Sequence, residues 1–291
     1  MFKKLLIVIC LLSPTRTYAQ PEKTMDPYLN LAISEIENTY GDKISAISKG
    51  KTILKFGHTD NADSGVETTV MHLLGTEVHE TYLSTNSIAY FSSSSTSDTA
   101  ITMVVEGHTY SADVNGFQFI VQNITLNGRT KTALGIPLAR ISRAYNSSST
   151  SLSGDVYFYE DDTVTAGVPQ TAAKTHMYVR GGAEGEDQSE KAATTISRFD
   201  YLIVTQVYAA GGRGNSSVSF DWYLQRRLLG GLFLPMFTAF MPSALNTQQI
   251  QLRPYLIVPK NSDIRMTVIS STDNSKFRGF FSGILATVAP Q

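Results

Sequence analysis

The amino-acid sequence predicts an all-β protein of two tandem antiparallel β-sandwich domains, jelly-roll-like in form, with a short N-terminal helix or arm. From about Lys51 onward, apolar and polar residues alternate with a period of two, the repeat of a strand with one buried face. Clusters of glycine, asparagine and serine separate these stretches, and such residues favour turns. Regularly spaced short strands with almost no helical pattern are typical of a sandwich or a jelly roll.

Residues 1–24 have the layout of a secretory signal peptide. Two lysines precede the apolar run Leu5–Leu12, and the small-residue sequence Thr17–Ala19 forms a cleavage site before Gln20. The alternative is an over-extended start, with Met25 as the true initiator. The only cysteine, Cys10, lies in this segment, so the rest of the chain is expected to have no thiol chemistry and no disulfide.

Residues 25–50 are predicted to form the helical arm. Asp26 provides an N-cap, Pro27 suits the first helical position, and Gly41 ends the helix. An apolar stripe follows at helical spacing and consists of Leu29, Ile33, Ile36 and Tyr40. This narrow stripe favours docking against the body of the same subunit, with a neighbouring subunit as the alternative.

The alternating stretches place the strands and the domains. The first sandwich, residues 51–168, has strands at about 51–57, 87–92, 99–107, 115–126, 138–145 and 154–160. The second, residues 169–291, has strands at about 174–180, 191–196, 199–209, 216–228, 231–240, 248–257, 262–270 and 278–287. Polar and turn residues from Asp161 to Pro169 interrupt the pattern and place the domain boundary near residues 165–173.

The stretch from Arg198 to Leu229 is predicted to be two long strands joined by a tight turn, around which the rest of the chain is organised. Residues 201–208 are apolar on both faces, as in a strand covered on both sides. In the second strand, one face consists of Val218, Phe220, Trp222 and Leu224. Glycines within residues 211–215 suit the turn, and the single tryptophan is expected in the core.

Charge and hydropathy argue against two classes of partner. Charged residues make up 17% of the chain, the net charge is −1, and the basic residues are scattered, which disfavours electrostatic binding to nucleic acid. After the N-terminal segment, no apolar run approaches the ~20 residues needed to span a bilayer. The mature form is therefore expected to bind neither nucleic acid nor membrane.

The sequence Asp60–Gly65 superficially resembles a calcium-binding loop, since carboxylates and a turn glycine suit that ion. Ala62 occupies the third position, where an oxygen ligand is needed, and no glutamate falls at the twelfth. A polar turn capped by Asp and Asn side chains is the favoured interpretation. His72 and His79 also lack the i, i+4 spacing of a helical zinc site.

Other reactive side chains are dispersed. His58, His108 and His176 have no neighbours in sequence that suggest a triad. The carboxylates of residues 160–162 are expected to point in different directions because consecutive strand residues face opposite sides. Asn123 and Asn146 begin sequons, which arise by chance in a chain rich in serine and threonine. No catalytic, cofactor-binding or metal-ligating residues and no cofactor are predicted, and the protein is expected not to be an enzyme.

The apolar run Leu228–Phe237 follows Arg226 and Arg227 and is interrupted by two glycines. It suits either the next buried strand or an exposed patch used for subunit contact. The buried strand is favoured, with the glycines marking the turn.

Residues from about Lys51 to Ala286, roughly four-fifths of the chain, resemble a family of virion structural proteins from tailed bacteriophages. These proteins are jelly-roll-like β-sandwiches associated with the capsid or its decorations. The resemblance rests on turn and strand signatures, namely Leu54–Gly65, Ser92–Thr99, Thr125–Thr130, Asp162–Gln170 and Val258–Arg265.

The resemblance implies a non-enzymatic, multi-copy assembly protein located in the virion, and it supplies no catalytic residues. The expected partners are further copies of the chain, in a homo-oligomer with a trimer as one option, and the major capsid or other virion proteins. A capsid-associated protein has no use for an export signal, so initiation at Met25 suits this interpretation. If the signal is used, the alternative is a secreted or cell-surface β-sandwich binding module, an adhesin or a glycan-binding protein.

Overall fold

We describe the fold from a computed structural model, which describes residues 26–71, 82–182, 186–212 and 217–289. These residues form one α-helix, α1 (Pro27–Tyr40), eighteen strands, and a 3-10 turn at Ala172–Lys174. The first eleven strands are β1 (Ile44–Ala62), β2 (Thr68–Thr69), β3 (Ile88–Ser93), β4 (Thr99–Ser111), β5 (Gly116–Asn127), β6 (Thr132–Leu138), β7 (Arg140–Asn146), β8 (Val156–Tyr159), β9 (Val164–Thr165), β10 (Val168–Pro169) and β11 (Thr175–Val179). The remaining seven are β12 (Ala193–Thr195), β13 (Asp200–Gly212), β14 (Phe220–Leu228), β15 (Leu234–Met241), β16 (Thr247–Val258), β17 (Ser262–Ser270) and β18 (Ser275–Val288).

The strands form two antiparallel sandwiches, which confirms the predicted all-β class. In the one that we call the terminal sandwich, a sheet of order β1-β18-β13-β16 packs on a sheet of order β12-β17-β14-β15. In the inserted sandwich, a sheet of order β11-β8-β3-β6 packs on a sheet of order β5-β4-β7. Each sandwich has its own apolar core, built from the inward-facing residues of both sheets.

The observed strand pairing does not follow the predicted domains, which placed residues 51–168 in the first sandwich and residues 169–291 in the second. β1 pairs with β18 in the terminal sandwich, although it lies in the stretch assigned to the first domain. β11 lies beyond the boundary and pairs with β8 in the inserted sandwich. The inserted sandwich is therefore made from the chain between residues 88 and 179, and the described strands before and after that stretch form the other one. A two-residue period reports which face is buried, and it carries no information on which strands pair.

The predicted N-terminal helix is confirmed at both ends. The Asp26 carboxylate accepts a hydrogen bond from the Tyr28 amide at 2.9 Å, and Gly41 adopts the left-handed conformation with φ of 71°. Leu29, Ala32 and Ile36 are buried against β13 and its neighbours in the terminal sandwich. The helix docks on the body of its own subunit, as expected.

The long strands β13 and β14 are confirmed, but the prediction that they form one hairpin is wrong. β13 lies between β18 and β16, whereas β14 lies between β17 and β15 in the opposite sheet. β13 is buried on both faces, since α1 covers one of them and the sandwich core the other. The predicted inward face of β14 lies in that core, with Trp222 fully buried. The central residues of the connecting turn, 213–216, lie outside the described part of the chain.

Candidate functional site

A buried ionic network joins the two sandwiches. Asp263 of β17 is 1% exposed, and its carboxylate accepts hydrogen bonds from two guanidinium groups and a hydroxyl. Arg140 Nε, from β7 of the inserted sandwich, lies 3.1 Å away, and Arg227 Nε, from β14, lies 2.9 Å away. The Thr195 hydroxyl lies at 2.6 Å. The carboxylate therefore links strands of both sandwiches through charged hydrogen bonds.

A cleft of about 940 Å³ lies beside this network, between the two sandwiches. β1, β12, β13 and β18 of the terminal sandwich form one wall, and β4, β5 and β7 of the inserted sandwich form the other. Its ionisable lining residues are Lys55, Glu106, His108, Arg143, Lys191 and Asp200. The volume is in the range of small-molecule sites, which commonly lie at domain interfaces. No sequence motif indicates that these side chains converge.

A β-bulge aims the side chains of β7 into the cleft. Glu106 of β4 pairs with Arg143, but the next residue of β4 pairs with Ile141, so Ser142 is an extra residue in β7. A bulge redirects neighbouring side chains, and Ser142 and Arg143 consequently both line the cleft. On β4, Glu106 and His108 lie two residues apart and share the face that lines it.

Lys55 is a buried cation of the cleft with only long contacts to its partners. Its side chain is 9% exposed, and its ammonium lies 3.4 Å from the Ser142 carbonyl oxygen and 3.9 Å from the Glu106 carboxylate. Burial lowers the pKa of Lys55 to about 8, while the carboxylate of Glu106 opposes this shift. The ammonium is therefore the majority form at neutral pH, but it is held by two long contacts.

His108 is neutral at neutral pH. Burial and, after it, the positive charge of Lys55 lower the pKa of His108 to about 3. Its Nδ1 lies 3.4 Å from the Ser142 hydroxyl, which also accepts a hydrogen bond from Thr194 at 3.1 Å. A histidine with so low a pKa is a poor general base, because efficient bases titrate near the operating pH. The arrangement therefore suits hydrogen bonding better than proton transfer.

We expect His108 to make the protein sensitive to acid. The folded-state pKa is lowered below the unfolded value of 6.5, so the unfolded chain takes up a proton that the folded chain does not as the pH falls from 6.5 towards 3. Stability is lost over this window by about 1.4 kcal/mol per pH unit for one proton. The charged groups that act on the ring are Lys55, Asp263, Arg140 and Lys191.

Urea unfolding at pH 7, 5.5 and 4.5 checks this prediction. His108→Gln is expected to lose less stability than the wild type between the first and last pH. Identical pH dependence in the wild type and His108→Gln would contradict the assignment.

Only the second half of the Asp60–Gly65 segment forms the predicted polar turn, because Asp60, Asn61 and Ala62 are the last residues of β1. Asp63 accepts hydrogen bonds from the Asn61 side chain at 3.3 Å and the Asn274 amide at 3.0 Å. The Ser64 amide donates to Asp273 at 2.9 Å, and Gly65 has φ of 70°. The side chains of this turn cap neighbouring backbone groups, as the sequence predicted.

The carboxylates of residues 160–162 point to three different places, as expected. Glu160 contacts His176, Asp161 pairs with Lys131, and Asp162 accepts hydrogen bonds from the amide and hydroxyl of Thr171 at 2.7 and 3.1 Å. Of the remaining histidines, His58 contacts Glu190 and Asp60. His72 and His79 lie outside the described residues, as do Met25 and the whole N-terminal segment 1–24.

The apolar run Leu228–Phe237 was predicted to be a buried strand, and this prediction is wrong for most of its length. It leads into β15, which lies at the edge of its sheet, and Leu232 is 84% and Leu234 62% exposed. The first part of the run is therefore an exposed patch and not a buried strand, whereas Met236 and Phe237 of β15 pack partly buried against the core. The glycines do mark a turn, since Gly230 adopts φ of 76°.

Within residues 26–71, 82–182, 186–212 and 217–289, no group of three or more His, Cys, Asp or Glu side chains is placed to hold a metal ion. In the same residues, no helix has the length and apolar character needed to cross a membrane.

The fold and the cleft define an all-β protein of two antiparallel sandwiches with a ligand-sized cleft between them. No protein-family model and no curated protein matches the chain. A weak similarity exists to the infectious bursal disease virus VP2 subviral particle, with 10% identity over 90% of this chain and 78% of that one and a TM-score of 0.21. The Gx strain of the same virus gives 8% identity over 88% and 81%, with a TM-score of 0.16. Similarities this weak establish neither the fold nor the function of this chain. Its fold class is established by its own strands.

Proposed function

We infer that the chain is a non-enzymatic structural protein of a virion, in a tailed bacteriophage, which acts by self-association and by docking on other virion proteins as a capsid-associated decoration or head fibre. The strand and turn signatures that resemble this family support the proposal. The structural observation that carries it is an uncharged edge of the terminal sandwich, which we define as residues 228–252.

The uncharged edge lies along one side of the terminal sandwich. No Asp, Glu, Lys, Arg or His occurs between Leu228 and Leu252. β15 is the edge strand of one sheet and β16 of the facing sheet. The indole N–H of Trp222, on the neighbour of β15, donates to Gln248 of β16 at 3.1 Å, so both edge strands are on the same side.

The exposed side chains of this edge favour contact with another chain. Five of the fourteen large apolar side chains that are exposed in the described residues lie within residues 228–245, and they are Leu228, Leu232, Leu234, Phe240 and Leu245. Soluble proteins protect their sheet edges with charged residues, above all lysine. A sheet edge with exposed apolar side chains and no charge is therefore expected to be covered in the assembled protein.

The partner that fits the uncharged edge is a second copy of the chain. An apolar strip without charges is complementary to itself, because bringing two copies together leaves no charge desolvated and no like charges opposed. Pro235 in β15 and Pro254 in β16 have no N–H, so an unbroken strand ladder along the edge is not available. The contact is therefore made mainly by side chains, in a symmetric homo-oligomer.

Sedimentation velocity over a range of protein concentrations tests self-association. The wild-type chain is expected to form a defined oligomer, and the double variant Leu234→Glu, Phe240→Glu to remain a folded monomer with an unchanged far-UV circular dichroism spectrum, because both side chains are exposed. Val114→Glu, at an apolar position that is also about half exposed and lies in the turn between β4 and β5, is the matched control and should assemble normally. A monomeric wild type, or a double variant that assembles like the wild type, would refute the role of this edge.

Mass spectrometry of purified particles tests the virion assignment. If the assignment is right, particles of the phage that encodes the chain contain it in many copies relative to the portal, and they retain it through density-gradient purification. Its absence from such particles overturns the virion role whatever the oligomeric state.

A further inference from the structure

The cleft between the sandwiches has a cationic floor that lacks full compensation. The Lys55 ammonium has three N–H donors, and within the described residues its polar partners are the Ser142 carbonyl at 3.4 Å and the Glu106 carboxylate at 3.9 Å. A buried charge is costly unless it is closely paired and hydrogen-bonded. An anionic oxygen placed in the cleft would supply the close partner that the protein itself does not.

The charge of the lining limits the ligand to one negative charge. Three cationic side chains, Lys55, Arg143 and Lys191, stand against the carboxylates of Glu106 and Asp200, and His108 is neutral. Asp200 accepts hydrogen bonds from the Ser197 hydroxyl at 2.6 Å and the Thr287 hydroxyl at 2.7 Å, which engage both its oxygens. With three positive and two negative side chains, the lining carries a net charge of +1, which a monoanion neutralises and a doubly charged anion would exceed.

Neutral groups of the lining fit a ligand that carries hydroxyl groups on a carbon frame. Ser142, Thr194, Gln188 and other hydroxyl and amide side chains line the cleft. Thr194 already donates to Ser142 and Arg143 to Gln188, and the remaining lone pairs and N–H groups can bind a ligand. Phe119 packs its ring edge-on against His108 at 5.4 Å and is 46% exposed, which leaves an aromatic surface for C–H groups. The volume of about 940 Å³ accommodates one or two sugar rings.

We propose that this cleft binds a small monocarboxylate that also carries hydroxyl groups, which is the chemistry of an acidic sugar. The carboxylate contacts Lys55, the hydroxyl groups contact the serine and threonine side chains, and the C–H face of the ligand packs on Phe119. The proposal does not depend on the virion role or on self-association, since every group that it uses lies away from the uncharged edge.

Isothermal titration calorimetry on the full chain, with sodium glucuronate as the probe, tests this site. Glucuronate is expected to bind at pH 7, whereas glucose, which lacks the carboxylate, and hexanoate, which lacks the hydroxyl groups, bind at least about tenfold more weakly. Lys55→Met should lower the affinity for glucuronate at least about tenfold, because the apolar stem is kept and the charge is lost. Lys276→Met, at a lysine that is 76% exposed beside Asp60, is the control and should bind as the wild type does.

The affinity of the wild-type protein for glucuronate, measured at several pH values, tests the role of Lys55 without a variant. The affinity for glucuronate should fall as the pH is raised from 7 to 9, because the ammonium of Lys55 then loses its proton. If Lys55→Met does not fold, this series and Arg143→Met take its place. The proposal is overturned if glucuronate gives no binding at millimolar concentration, if glucose or hexanoate binds as tightly, or if affinity does not change between pH 7 and 9.

Discussion

Replacing Asp263 with alanine is expected to lower the free energy of unfolding by about 3–5 kcal/mol, because it leaves buried guanidinium charges without their partner. The side chains of Arg140 and Asp263 are 3% and 0% exposed, and the side chain of Arg227 is 19% exposed. Neither guanidinium can regain full hydration without separating the strands that carry it. Urea unfolding followed by the fluorescence of Trp222, the only tryptophan, measures the loss.

Asp113→Ala is the matched control for this prediction. Asp113 is exposed in the turn between β4 and β5, and its removal should change stability by no more than about 0.5 kcal/mol. Asp263→Asn keeps the shape of the side chain and removes its charge, so it should be nearly as unstable as the alanine variant. An Asp263→Ala protein as stable as Asp113→Ala would show that the ionic network does not stabilise the junction between the sandwiches.

Replacing Trp222 with alanine is expected to cost about 3–5 kcal/mol, because the change leaves a large cavity in the core of the terminal sandwich. Trp222 is fully buried, its ring centroid lies 5.4 Å from that of Phe237, and its N–H is satisfied by Gln248. Since no tryptophan remains in this variant, circular dichroism during urea unfolding measures the change.

Two further substitutions make the test of Trp222 specific. Trp222→Phe keeps most of the buried volume and should cost clearly less than the alanine variant. Phe199→Ala removes an aromatic ring that is 46% exposed and should have a small effect. Equal losses for Trp222→Ala and Phe199→Ala would mean that β14 does not contribute its inward face to the core.

The sequence predicted the helix and the longer strands because their signals are local. The cap at Asp26, the stripe Leu29–Tyr40 and Gly41 specify α1 within sixteen consecutive residues. The alternation from Val218 to Leu224 correctly gave the buried face of β14. Strands of two residues, such as β2 and β9, were not predicted, since two residues are too few to show a period.

The candidate site could not be predicted in the same way. Lys55 and His108 are 53 positions apart in sequence, and each lies in an ordinary alternating strand. The bulge that aims Ser142 and Arg143 into the cleft arises from the register of β7 against β4. The ion pair between Arg140 and Asp263 requires that β7 and β17 come together across two sandwiches.

By itself, the sequence determined the helix, most of the longer strands and the buried face of β14, because these depend on residues a few positions apart. It missed β6 and the first residues of β1, which lie within the predicted arm of residues 25–50. Only the tertiary structure decided that β1 pairs with β18, that β13 and β14 lie in opposite sheets, that Leu234 is exposed and that a cleft holds Lys55 beside Glu106. Strand pairing is chosen by the packing of distant apolar faces, so the chemistry that gathers between those strands is visible only once they have packed.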